Sequence, residues 1–253
     1  MRYKALLAAA LGLFLLVKVL DGSVIFYINQ RFVWLVIVAG VILIISAQIL
    51  FVQKDDGGEV GSGSLDIHQH IHEHHHDHNQ GAASGGKPAD LVWLLVPLLI
   101  GFLVPARPLS SGAISSRGLS LSAPLSTGMN STTFEVSPEN RTILDWVYVF
   151  NHADDPKELE GQPVRITGFV YRDHRLSEDQ FFVGRFIITC CAADAMAVGL
   201  VVQSEDAGIF PESTWVSVHG KMSSIEMDGE VLPLVLGDNI ESIPAPEQPY
   251  LYP

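Results

Sequence analysis

Seven histidines stand within eleven residues of this 253-residue chain: His68, His70, His72, His74, His75, His76 and His78, interleaved with Glu73 and Asp77 and preceded by Asp66. Imidazole and carboxylate are the ligands that zinc and its divalent transition-metal neighbours prefer. In an extended chain His68, His70, His72 and His74 share one side. In a helix His70 and His74, His72 and His76, or His74 and His78 share a face. Either way the ligand sets overlap, which suits loading and releasing an ion. The Gly/Ser-rich flanks at 55–64 and 79–87 deny the run the fixed outer hydrogen bonds that a structural or catalytic zinc needs. The expected cofactor is zinc or another divalent transition metal. Ligand type does not select among them, since the affinity order favours copper and nickel.

The second candidate is Cys190-Cys191, the only cysteines, with Asp194 close behind. Two adjacent cysteines make no disulfide framework. Neighbouring thiols point to opposite faces of a regular strand, so both can hold one ion only where the strand ends. Ala192-Ala193-Asp194-Ala195 offers such a break, and Asp194, His152, His174 or His219 is available to complete a soft site. The competing reading packs one cysteine as a small hydrophobe and leaves the other near the surface.

These groups must be positioned by two kinds of structure. Residues 1–129 hold eight acidic and eight basic residues, whereas 130–253 hold 20 acidic and seven basic, which accounts for the net charge of −13. An acidic domain of this kind repels nucleic acid, so none is expected as a partner. The first half carries three apolar runs: Ala5 to Leu20, Phe32 to Val52 and Ala89 to Ala106. A helix needs about 20 apolar residues to cross the hydrocarbon core. The second run meets that length. The first can extend by snorkelling Lys18 towards the interface, and the third begins near the interfacial residue Trp93. Arg2 and Lys4 ahead of the first run favour a cytoplasmic amino terminus.

The expected organisation is two transmembrane spans over 1–52, a His-rich metal-binding loop over 53–88, a third span over 89–106, a Ser/Pro/Gly linker over 107–133 and an acidic soluble domain over 134–253. In that last region Ile143, Leu144, Trp146, Val147 and Phe150 follow a helical spacing. Five β-like runs come next: Val164–Arg172, Phe181–Cys190, Ala197–Gln203, Trp215–Met222 and Leu232–Ile243. Asp228-Gly229 reads as a hairpin turn, and Gly168 and Gly220 as bends or bulges. The fold class is thus a membrane α-helical anchor of about three spans plus a mainly β, OB-like five-stranded barrel with a short helix.

The segment Arg185-Phe186-Ile187-Ile188-Thr189-Cys190-Cys191-Ala192-Ala193-Asp194-Ala195, followed by Val198-Gly199-Leu200-Val201-Val202, resembles the YcgQ-like bacterial membrane proteins. The layout of spans, polar loop and carboxy-terminal domain is similar too. The resemblance implies an accessory subunit that accompanies a separate polytopic permease, with a link to zinc limitation. The histidine run is not part of the resembling segment.

No nucleotide-binding glycine loop, nucleophile elbow or H-E-x-x-H motif is present, so no enzyme activity is expected. The expected function is an accessory membrane subunit of a permease complex in zinc or divalent-metal transport or homeostasis. Its partners are a polytopic permease subunit, membrane lipid and the metal. It is expected to be a multi-pass membrane protein with an extracytoplasmic carboxy-terminal domain. The alternative is a membrane-anchored metal or redox sensor built on Cys190 and Cys191.

Overall fold

The computed structural model describes residues 2–52, 96, 98–120, 136–227 and 229–252. His68, His70, His72, Glu73, His74, His75, His76, Asp77 and His78 lie outside the described residues, as does Asp228. The chain divides into two compact units, one of residues 1–22 and 34–105, the other of residues 23–33 and 106–253.

The first unit is helical. α1 spans Arg2–Leu20 and α2 spans Val33–Val52. Their backbones touch at two glycines, since a Cβ placed on Gly12 would meet the Gly40 carbonyl oxygen at 2.7 Å. Small residues at a crossing let helices approach this closely where lipid offers no hydrophobic drive between them. Ala47 is buried in the same unit, whereas Trp34, Ile37, Ile42, Ile45 and Ile49 are exposed. A helix that is apolar all round and largely uncovered by protein matches lipid as its surroundings.

The expected count of about three spans is corrected. Among the described residues, Gln30–Val52 is the one helical stretch long and apolar enough to cross a membrane. The apolar run Ala5–Leu20 is shorter, because the chain turns at Gly22 with φ of 73°. Of the third run, residues 98–103 are helical.

The second unit is mainly β. Its helix α4, Ile143–His152, follows α3, Ser111–Arg117. α4 starts at a reciprocal cap: Thr142 Oγ1 accepts from the Asp145 N–H, and the Asp145 carboxylate accepts from the Thr142 N–H. Both orphan donors are thereby satisfied, and the helix is fixed where its apolar stripe begins. That stripe, including Ile143, Trp146, Val147 and Phe150, packs into one core with Val164, Ile166, Phe181, Val183, Leu200 and Val218. Arg141 lies over the Trp146 ring at 4.8 Å.

The strands are β1 (Leu119–Ser120), β2 (Pro163–Tyr171), β3 (Gln180–Ile187), β4 (Met196–Gln203), β5 (Trp215–Met227), β6 (Glu230–Ser242) and β7 (Tyr250–Leu251). β5 and β6 form a long antiparallel ribbon with a register shift between His219 and Gly220. A Cβ on Gly220 would fall 2.1 Å from the Leu236 carbonyl oxygen, so only glycine fits that bulge. Gly168 likewise abuts the Gly184 carbonyl, at 2.5 Å from its notional Cβ.

The expected five-stranded barrel is also corrected. The strands form a seven-stranded sheet in the order β1-β4-β6-β5-β2-β3-β7, with an additional β4–β3 pairing. β3 and β4 pair along their whole length, but β2 follows β3 only over Phe182–Gly184 and β6 follows β4 only over Val201–Gln203. Beyond those points the β3–β4 ribbon leaves its neighbours. Its free edges are covered by β1 on β4 and β7 on β3, both parallel. Backbone N–H and C=O groups left bare on a strand edge need partners, and these two short strands supply them. A second, smaller core lies at this splayed end: Ile114, Phe169, Phe186, Ile188, Ala195, Trp215 and Tyr250.

Candidate functional site

The splayed end of the β3–β4 ribbon carries the cysteine pair. β3 stops at Ile187, Thr189 and Cys190 lie in a bend, Cys191 makes an isolated bridge, and a short 3-10 turn spans Ala192–Asp194 before β4 begins. The turn exists because of Asp194. Its carboxylate accepts from the Cys190 N–H at 2.7 Å and the Thr189 N–H at 3.2 Å, the usual way a short acidic side chain closes a loop on its own backbone. The strand therefore ends three residues before the expected Cys190. The two thiols consequently lie together, with Sγ atoms 3.7 Å apart and unbonded. Cys190 is exposed and Cys191 half-buried.

Three distant segments hold this loop. The stretch between α1 and α2 forms an isolated antiparallel bridge through Ile28 to Cys191. The Asn29 N–H donates to the Cys190 carbonyl at 3.0 Å, and the Ala192 N–H donates to the Tyr27 carbonyl at 2.7 Å. The buried Asn29 side chain donates to the carbonyls of Thr189 and Ile188, at 2.9 and 3.4 Å, while its oxygen accepts from the Arg31 N–H. Arg117, at the end of α3, donates to the carbonyls of Ala192 and Ala195 at 2.9 and 3.0 Å. The Ile188 N–H donates to Leu251 of β7. Beneath, the Tyr250 hydroxyl accepts from the Leu109 N–H and donates to the Phe26 carbonyl.

The electrostatics follow from Asp194. Its carboxylate accepts from the Cys190 thiol, and the second thiol accepts as well, so the Cys190 pKa is pushed up to about 11. Burial pushes the Asp194 carboxyl up. The bonds it receives from the Cys190 thiol and from the N–H groups of Cys190, Thr189 and Cys191 outweigh burial and hold it below its ordinary value. At neutral pH Cys190 is a protonated donor rather than a reactive thiolate.

The histidines named with this pair are engaged elsewhere. His152 bonds to the Tyr148 carbonyl through Nδ1 and stacks on the Tyr148 ring. His174 is 91 % exposed beside Asp173. His219 lines an open groove of about 440 Å³ with Glu139, Arg165, Lys221 and Asp238, whose charges balance. Among the described residues no group of three or more His, Cys, Asp or Glu is arranged to hold a metal.

Sequence reasoning found Cys190, Cys191 and Asp194 but missed Tyr27, Asn29, Arg117 and Tyr250. Most of their bonds go to main-chain carbonyls 75 to 160 residues away, and no pattern of residue types reports such contacts.

Residues 2–120 match the DUF1980 N-terminal domain and residues 130–253 match the DUF1980 C-terminal domain. The chain belongs to the DUF1980 family. Within the family's reach, the UPF0703 protein YcgQ of Bacillus subtilis (strain 168) is 24 % identical over 191 residues, covering 64 % of this chain and 67 % of that protein. A Streptococcus mutans serotype c protein, named as a candidate subunit of a two-component membrane permease complex, is 24 % identical over 212 residues. That match covers 66 % of this chain and 75 % of the relative. No solved structure matches this DUF1980 chain. The boundary between the two DUF1980 domains falls between β1 and α4. The segment Ser23–Val33 of the N-terminal domain and the strands of the C-terminal domain form one compact unit.

Proposed function

We propose that this protein is a membrane-anchored accessory subunit of a permease complex, acting in the transport or homeostasis of zinc or a related divalent metal. The observation that carries the reading is the bonding of Ser23–Val33 around the cysteine loop. A domain on a long tether would be free of the segments that enter the bilayer. This one is bonded to the short connection between two apolar helices, as a domain working at the membrane surface would be.

The same observation supports a multi-pass topology. If α2 crosses the bilayer, Ser23–Val33 and the β unit lie on the side of its Val33 end, and its Val52 end lies on the other. The histidine-rich segment then lies on the opposite side; with α1 also crossing and Arg2 and Lys4 in the cytoplasm, the β unit is extracytoplasmic. Metal is the cargo in this reading. His68, His70, His72, His74, His75, His76 and His78, with Glu73 and Asp77, take up the ion on one face. No catalytic role is assigned to any residue.

The support from relatives is the name of the Streptococcus mutans protein as a permease-complex subunit. Mild crosslinking in cells followed by purification of the tagged chain tests the reading. Recovery of a polytopic membrane protein in stoichiometric amount is the expected result, and recovery of this chain alone contradicts it. The alternative is a membrane-anchored metal or redox sensor built on Cys190 and Cys191; the raised pKa of Cys190 speaks against its redox form, because redox-sensing thiols are ionised ones.

A further inference from the structure

The separation of the two sulfurs carries more than their adjacency does. A disulfide would place them about 2.0 Å apart. With metal–sulfur bonds of about 2.3 Å, a tetrahedral ion spans two thiolates about 3.8 Å apart, and a linear ion about 4.6 Å. At the observed 3.7 Å the Cys190 thiol donates to the Cys191 sulfur, and a tetrahedral ion could replace that proton with almost no movement of the sulfurs. The spacing is reached before any ion binds, because Asp194, Asn29, Arg117 and the Tyr27 backbone already fix the loop.

We propose that Cys190 and Cys191 form a two-thiolate half-site for a tetrahedral, thiophilic divalent cation of the zinc class. The remaining two positions open to solvent, where water or donors from another protein complete the shell. Asp194 positions the loop through the backbone N–H groups its oxygens accept from, and the thiol bond it accepts from Cys190 is given up when that sulfur binds the ion. Binding is an exchange without redox. Each sulfur loses its proton to solvent and forms one bond to the cation. An ion held by two protein ligands exchanges faster than one held by four, which suits receiving or passing on cargo. The half-site stands on the loop geometry alone; its use in transfer rests on the accessory-subunit reading.

Cadmium is the probe, because its bonds to thiolate absorb in the ultraviolet whereas its bonds to imidazole do not. The reduced full-length protein in detergent is titrated with cadmium, and so is a variant with all seven loop histidines changed to alanine. The expected result in both is a thiolate charge-transfer band saturating at one cadmium per chain, and two protons released per cadmium in the histidine-free variant. The band is lost in Cys190→Ser and in Cys191→Ser. Near-ultraviolet circular dichroism matching wild type confirms that these variants fold. Absence of the band in the wild-type chain, or its survival in either serine variant, overturns the half-site. If the band forms but crosslinking in cells recovers this chain alone, the half-site stands and only the transfer role falls.

Discussion

Asp194 decides what the cysteine pair does. It ends β3 early, turns both thiols to one side and accepts from Cys190. Changing Asp194→Asn removes the carboxylate whose hydrogen bond from the thiol, and to a lesser degree whose charge, raises the Cys190 pKa. With a pKa of about 11, roughly one Cys190 thiol in a thousand is ionised at pH 8, against about a quarter for an ordinary cysteine. The variant is therefore expected to alkylate on the order of tenfold faster at pH 8, read by mass spectrometry. An unchanged or slower rate would contradict the assigned hydrogen bond. The sign for acid follows as well. Because the folded Asp194 pKa is depressed, its contribution is full above the ordinary carboxylate pKa and is lost as pH falls through the folded value.

At the scale of elements, the loop is only as firm as the segments that hold it. Asn29→Ala deletes a buried donor with two carbonyl partners and the acceptor for the Arg31 N–H. Leaving such groups unsatisfied costs about 1–3 kcal/mol, which should lower the thermal midpoint and expose Cys191 to alkylation. A variant with wild-type stability and thiol protection would show that Ser23–Val33 does not hold the loop. Gly220→Ala should cost about 2 kcal/mol or more, since the bulge has no room for a methyl against the Leu236 carbonyl. Denaturant unfolding measures it, and a neutral substitution would contradict the bulge.

The five main strands and α4 were legible because apolar β-like runs and helical spacing extend over seven or more residues, alternating in β2 and the first half of β5 and continuously apolar in β4. β1 and β7 were not, since two residues carry no period, and they form only because the β3–β4 ribbon leaves bare edges. The end of β3 was misread by three residues for a different reason: Ile187, Ile188 and Thr189 are all β-branched residues that favour a strand, and what stops the strand is the Asp194 side chain, four residues beyond Cys190. The adjacent thiols were visible as a pair. That they share one side depends on Asp194 and on partners far away in sequence.

At the scale of the whole molecule, the chain joins an apolar helical unit to an acidic β unit, and Ser23–Val33 belongs to the latter although it connects α1 to α2. The proposed topology follows from that fact together with the crossing of the bilayer by α2. It places Tyr27 and the cysteine loop on one face of the bilayer and the histidine run on the other. Tyr27 is 54 % exposed and accepts a thiol substitution without loss of its backbone bond to Ala192. The direct test labels intact cells with a membrane-impermeant maleimide, using single cysteines at Tyr27→Cys and Ser62→Cys in a Cys190→Ser, Cys191→Ser background, beside the native pair. The account predicts that Tyr27→Cys and the native cysteines label in intact cells, and that Ser62→Cys labels only after permeabilisation. Labelling of Ser62→Cys together with Tyr27→Cys, or opposite accessibility of Tyr27→Cys and the native pair, would contradict it.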